Sequence, residues 1–343
     1  MKDKVSLVTG GAGFIGSHIA QDLLAMGHNV VVVDNLEGGN TSNIPQGAVF
    51  ENADVCIEAA VDYLFDRYEI EYVYHCAAYA AEGLSHHIPR FNYDNNLMGS
   101  VNLIKNSIRH NVRHFTFLSS IAVYGAAPIP WRETDKPEPI DPYGAAKLAV
   151  EHHLKSVRHY YGLPYTIYRA HNVYGPRQNI ADPYRNVIGI FMHQLLKNKP
   201  ITIFGNGLQR REFSYVRDIT PNIARWPMYD KAGNQTFNIG SSRGVSVRKL
   251  SEMVMEAMGI QGDIQYLTSR KEVHRARCTH WKIDALLQTS NDTPLDVGKG
   301  KTPHHKGDRD AVAGKYFRGN GDAFLPDGPT RISFRSKPVQ GAM

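Results

Sequence analysis

The chain has 343 residues, 42% of them hydrophobic and 10% aromatic, with a formal net charge of +6 at pH 7. That length and apolar content exclude a disordered or fibrous chain and allow two lobes around a large core. No run of eighteen apolar residues occurs and the N-terminus carries no apolar leader, so the expectation is a cytoplasmic protein without a membrane partner. The basic excess comes with no nucleic-acid recognition motif, which excludes nucleic acid as the expected partner and fits anionic nucleotide ligands. Cys56, Cys76 and Cys278 have no metal-ligand spacing and form no even set, so reduced thiols are expected. The adjacent pairs His86-His87, His152-His153 and His304-His305 point apart on a helix or strand, and no metal site is predicted.

The first predicted element is an apolar strand at residues 5–8, followed at once by Thr9-Gly10-Gly11-Ala12-Gly13-Phe14-Ile15-Gly16-Ser17-His18 and a helical pattern of Ile19, Leu23 and Leu24. In this strand, turn and helix, Gly10 permits the tight turn and Gly13 lets the backbone approach a pyrophosphate. Gly16 lets the helix pack closely on the strand, with the helix N-terminus facing the anion. A second strand at 28–33 ends in Asp34, eighteen residues after Gly16. A carboxylate there accepts hydrogen bonds from adenosine ribose hydroxyls and repels the extra phosphate of NADP. No Lys or Arg lies between Asp34 and Glu51 to offset that repulsion, so the cofactor read from these residues is NAD.

Further along, 71–78 reads as a strand running into a loop of small residues, 95–110 as a helix and 114–119 as a strand ending at Ser119-Ser120. Residues 142–161 read as a helix carrying Tyr143 and Lys147, and 164–169 as a strand. The i, i+4 spacing puts Tyr143 and Lys147 on one helix face, so the ammonium favours the phenolate and draws the tyrosine pKa down from about 10 toward the working pH. With the Ser120 hydroxyl upstream, this set supplies a base and a hydrogen-bonding partner. Tyr-x-x-x-Lys alone is a weak signal, and the glycine turn gives it context. Strands alternating with helices predict an α/β fold, a doubly wound parallel sheet with a ligand crevice at the strands' carboxyl ends, where Gly10, Asp34, Ala77, Ser119 and His171 all fall.

From Asn172 the pattern loosens, with a helix near 187–196, a strand at 201–204 and a helix near 247–258, as in a smaller lobe over the crevice. The predicted division is a dinucleotide-binding domain at 1–171, joined by a later strand near 236–240, a substrate-binding lobe at 172–296, and a poorly ordered tail at 297–343.

The glycine turn, the Ser120/Tyr143/Lys147 set, Tyr168-Arg169-Ala170-His171-Asn172-Val173-Tyr174-Gly175-Pro176, and Phe204-Gly205-Asn206-Gly207 with Arg211 and Val216-Arg217-Asp218 together resemble the extended short-chain dehydrogenase/reductase family. Within it the chain is most similar to nucleotide-sugar epimerases of the UDP-glucose 4-epimerase type, over roughly residues 4–296. For NAD, the resemblance implies Phe14 and Ile15 at the pyrophosphate, Asp34 and Asn35 at the ribose, and Asp54 and Val55 beside the adenine. It implies Ala77, Ala78 and Tyr79 along the dinucleotide, Asn95 and Ser119 near the nicotinamide half with Tyr143 and Lys147, and His171 packed beside the nicotinamide. For the nucleotide sugar it implies Ser120, Tyr143, Asn172, Asn186, Arg211 and Arg270, with small Ala276 leaving room for an acetamido group. Ala80 stands where these epimerases often carry a lysine. The matching helices also imply a homodimer through a four-helix contact.

Related dehydratases carry an Asp-Glu pair just after the serine, and decarboxylases also carry a Glu there; this chain has Ile121 and Ala122, neither of which transfers a proton. The resulting expectation is an NAD-dependent isomerase that inverts C4 of a UDP-sugar, either UDP-glucose/UDP-galactose or UDP-GlcNAc/UDP-GalNAc, through a transient 4-keto sugar. Open alternatives are another epimerase or reductase, for example one acting on UDP-glucuronate, a dehydratase, and a non-catalytic NAD-binding sensor.

Overall fold

The computed structural model describes residues 4–288 except 183, 185, 230, 242–243 and 270–275. The predicted tail and Arg270 therefore lie outside the described residues.

The chain opens with β1 (Val5–Thr9), α1 (Phe14–Ala25) and β2 (Asn29–Asp34), in the predicted strand, turn, helix, strand order. Two elements without a sequence signal follow, the edge strand β3 (Val49–Asn52) and α2 (Glu58–Arg67). Then come β4 (Tyr72–His75), α3 (Gly99–Arg109), β5 (His114–Ser120), α4 (Pro142–Tyr161) and β6 (Tyr165–Ala170). The expected helix at 95–110 begins as a π-helical turn, Asp94–Met98, before regular α3. Beyond β6 lie α5 (Val187–Leu196), α6 (Val216–Arg225), β7 (Gln235–Ile239), α7 (Val247–Met258) and α8 (Trp281–Gln288).

The seven strands form one sheet in the order β3-β2-β1-β4-β5-β6-β7, and every pairing is parallel. Its inner strands are buried on both faces, so they read as apolar runs such as Val30 to Val33 and not as alternation, whereas the edge strand β3 is partly exposed. One face packs on α2, α3 and α4 through Val61, Leu103, Ile104, Val150 and Leu154. The other packs on α1, α6 and α8 through Ile19, Leu23, Ile219, Ile223 and Ile283. A third apolar cluster joins α5 and α7 to Ile201 and Ile203, apart from the two clusters on the sheet's faces.

The boundaries of α4 follow from its ends. Asp141 Oδ1 accepts the Gly144 N–H at 2.8 Å, Pro142 occupies the first turn, and Gly162 stops the helix at φ 79°. The strand order reverses between β1 and β4, and the crevice at a reversal is where a doubly wound sheet binds its ligand.

Candidate active site

A cleft of about 770 Å³ opens at the carboxyl ends of the strands. The glycine turn forms one end of it. Gly10 takes φ 66°, and a side chain there would press on the Ala77 backbone at 2.8 Å; a Cβ on Gly16 would collide with the Gly10 carbonyl oxygen. The turn thus brings α1 against the sheet with bare backbone toward the cleft, a shape that fits a diphosphate.

Asp34 stands beside it, with Oδ2 accepting the Ala12 N–H at 3.1 Å and Oδ1 the Leu36 N–H at 2.9 Å. Burial raises its pKa, opposed by hydrogen bonds from the backbone of Leu36, Ala12 and Gly13. The adjoining wall is tied together by Asn35, which donates to Asp54 Oδ2 at 3.4 Å, and by Asp54 Oδ1, which accepts the Cys56 N–H at 2.8 Å.

Across the cleft, Ala77, Ala78 and Tyr79 form a strip held from behind by Asn96. Its amide accepts the Tyr79 N–H at 2.8 Å and donates to the Tyr79 carbonyl at 3.1 Å. Behind the strip, Thr9, His75 and Ser100 form a buried chain of hydrogen bonds linking β1, β4 and α3, and burial holds His75 down to about 3.

Ser120, Tyr143 and Lys147 converge from two elements. Ser120 ends β5 and caps the short turn Ile121–Val123, its Oγ accepting the Ala122 N–H at 3.1 Å. Tyr143, 7% exposed, sits in the first turn of α4. Gly144 permits this approach, because a Cβ there would stand 2.6 Å from the Ala122 carbonyl oxygen. Lys147 is 2% exposed and points inward, its Nζ donating to the Leu118 carbonyl at 3.0 Å and lying 5.8 Å from the Tyr143 ring centre. Burial lowers its pKa to about 8, countered by Cys76 and Glu151.

Of the sequence-predicted residues, the cleft is lined by Gly10, Gly13, Phe14, Ile15, Gly16, Asp34, Asn35, Asp54, Val55, Ala77, Ala78, Tyr79, Asn95, Ser119, Ser120, Tyr143, Lys147, Asn172, Asn186 and Arg211. Several differ from expectation in detail. Ser119 lines the cleft, but its hydroxyl turns back to donate to Glu151 Oε1 at 2.6 Å. Asn186 caps α5, accepting the Ile188 N–H and donating to the Val173 carbonyl, each at 3.0 Å, so its first task is structural.

Two expectations need correction. His171 is not among the residues lining the cleft, whereas Ala170 and Asn172 are; the strand has ended, Asn172 takes φ 40°, and its Nδ2 donates to the Glu212 carbonyl at 2.9 Å. The His171 ring is 2% exposed, with Nε2 at 2.9 Å from His280 Nε2 and Nδ1 near the Glu212 carbonyl. Ala276 packs behind the Ser120 turn with Ile121, Tyr124 and Trp131, so its small size does not open the cleft wall.

Sequence reasoning missed Asn96, Gly39 and Arg177. Gly39 closes over Asp34, leaving 2.7 Å between its Cβ direction and Oδ1. Arg177 lines the cleft at φ 68°, donates to Gln21 at 2.8 Å, and keeps its Nη1 buried with no hydrogen-bond partner among the described residues. Its only sequence signal was its place one residue beyond the Tyr-Gly-Pro run.

Residues 6–240 match the sequence pattern of the NAD dependent epimerase/dehydratase family. The chain belongs to that family. Its glycine turn, Asp34 and the Ser120/Tyr143/Lys147 set all fall inside the matched span. The UDP-glucose 4-epimerase of Mycolicibacterium smegmatis is 32% identical, over 87% of this chain and 96% of that protein. Among solved structures, the UDP-glucose 4-epimerase of Thermotoga maritima with UDP-glucose is 34% identical, with a TM-score of 0.80 over 92% of this chain and 98% of that one. The UDP-N-acetylglucosamine 4-epimerase of Methanobrevibacter ruminantium in complex with UDP-N-acetylmuramic acid is 30% identical, with a TM-score of 0.80 over 91% and 98%. The family's cofactor is NAD, and the open glycine turn with the Asp34 carboxylate beside it suits it.

Proposed function

We propose that the protein is an NAD-dependent nucleotide-sugar 4-epimerase acting on a UDP-sugar. One observation carries this reading: Ser120, Tyr143 and Lys147 face the same cleft as the glycine turn and Asp34, while the next two positions hold Ile121 and Ala122.

NAD, when bound, supplies a hydride acceptor and donor at the sugar's C4, so no net redox change results. Tyr143 takes the proton from the C4 hydroxyl, and Ser120 shares that hydrogen bond. Lys147 favours the phenolate by its charge. Arg211 and Asn172 are the cleft residues we assign to the diphosphate and its sugar, together with Arg270. A guanidinium fork suits phosphate oxygens, and it leaves the 4-keto ring free to turn over. Tyr143 then returns the proton to the C4 oxygen of the other epimer. Eliminating the C6 hydroxyl would need an acid and a base after Ser120, and Ile121 and Ala122 supply neither.

Incubation with UDP-glucose, UDP-GlcNAc and UDP-glucuronate in parallel, with NMR of the products, tests the reading. C4-inverted product from one or more sugars is expected. Protein that binds NAD but converts none of the three is a sensor, and the proposal falls. We further propose a cytoplasmic homodimer joined through α3 and α4, in keeping with three free thiols; a monomeric mass by light scattering would overturn the dimer.

A further inference from the structure

Tyr143, Lys147 and Glu151 lie four residues apart on one face of α4. Glu151 is wholly buried and its carboxylate is fully engaged. Arg169 of β6 donates Nε to Oε1 at 3.0 Å and Nη2 to Oε2 at 2.6 Å, and Ser119 Oγ donates to Oε1 at 2.6 Å. Arg169 is 1% exposed, lies 4.7 Å over the Tyr124 ring, and leaves Nη1 without a hydrogen-bond partner among the described residues. Apolar side chains of similar volume often fill such a place at lower energetic cost, so stability alone gives a weak reason for this pair.

We propose that Glu151 is a positioning residue for the reaction, placing its carboxylate on the Lys147 face of α4 and fixing the end of β5 that carries Ser120, with Arg169 holding that carboxylate in place. This rests on the reading of the protein as a 4-epimerase. The mechanical half is direct, since the Ser119 hydroxyl ties the residue before Ser120 to the helix that carries Tyr143. The electrostatic half follows from placement. Lys147 faces Tyr143 and Glu151 on its own helix, and Cys76 and His75 at the end of β4. Burial holds His75 neutral and pushes the Cys76 thiol up to about 12, which leaves Glu151, its carboxylate shared with the Arg169 guanidinium of β6, as the carboxylate of that group.

The test compares Glu151→Gln with wild-type holoenzyme. Without the carboxylate, Lys147 should lose its proton about one pH unit lower. The alkaline limb of kcat should move down by that amount while KM and NAD affinity stay within about twofold. NMR titration of lysine side chains, with Lys147 assigned by its loss in Lys147→Arg, should show the same displacement without any turnover. Ser119→Ala, which removes the tie but no charge, should lower kcat evenly across pH. If Glu151→Gln does not fold, Glu151→Met/Arg169→Met leaves neither member of that pair buried alone and should show a smaller shift of the same sign. An unmoved alkaline limb and lysine titration would overturn the electrostatic role. Wild-type protein that converts no nucleotide sugar would overturn the epimerase reading instead, and the lysine titration would still decide the role of Glu151.

Discussion

Tyr143 and Asp34 carry the two most direct residue-scale expectations. Replacing Tyr143 by Phe removes the proton acceptor while keeping the ring, so kcat should fall by about 10²–10⁴-fold with NAD affinity nearly unchanged. Stopped-flow assay beside a cofactor titration checks this, and retained turnover would remove Tyr143 from the proton transfer. Asp34→Ala deletes a charged hydrogen-bond acceptor worth about 1.5–3 kcal/mol. NAD affinity should drop about 10–100-fold in calorimetry. The sequence made both residues visible because each stands at a fixed offset from a motif. It did not reveal Arg177, whose approach to Gln21 spans 156 residues, nor the choice between Asn95 and Asn96. That choice depends on helix register, and the π-helical turn Asp94–Met98 sets which amide meets the cleft and which pins Tyr79.

At the scale of elements, the active site depends on how closely α4 meets the turn after β5. Gly144→Ala would drive a methyl group against the Ala122 carbonyl, costing about 1–3 kcal/mol of stability. It should also move Tyr143 from Ser120, lowering kcat at least tenfold, which thermal melts and steady-state kinetics would measure together. A variant with wild-type kcat would show that the helix has slack. Helix α4 was legible in sequence because Asp141, Pro142 and Gly162 mark its ends. Helix α6 was not, because Pro221 lies inside it and reads as a breaker, although packing on α1 holds that segment helical. Strand β3 is only four residues long, with polar residues at its end, and the row of neighbouring strands defines it more than its own pattern does.

For the molecule as a whole, buried histidines set the acid limit of stability. Burial holds His18, His28, His114 and His171 down to about 4, and His75 and His280 to about 3. In the unfolded chain each takes a proton near 6.5, so between about pH 6.5 and 4 the unfolded state binds more protons and stability falls as pH falls. Asp34, Glu133, Asp141 and Glu212, the last pushed up to about 7, act in the opposite sense, but the six histidines outweigh them. Tm by calorimetry should be about 10 °C lower at pH 4.5 than at pH 7. A flat profile would mean that the rings are hydrated in solution.

The sequence by itself determined the parallel α/β class, the glycine turn after β1, the carboxylate at the end of β2 and the spacing of Ser120, Tyr143 and Lys147. Each is written in local spacing, where glycine conformation and helical periodicity leave few alternatives. Only the tertiary structure decided that Ser119 belongs to Glu151, that His171 faces His280 and that Ala276 lies behind the Ser120 turn. Those facts depend on which side of a strand a residue leaves and on partners far away in the chain, so no local pattern encodes them.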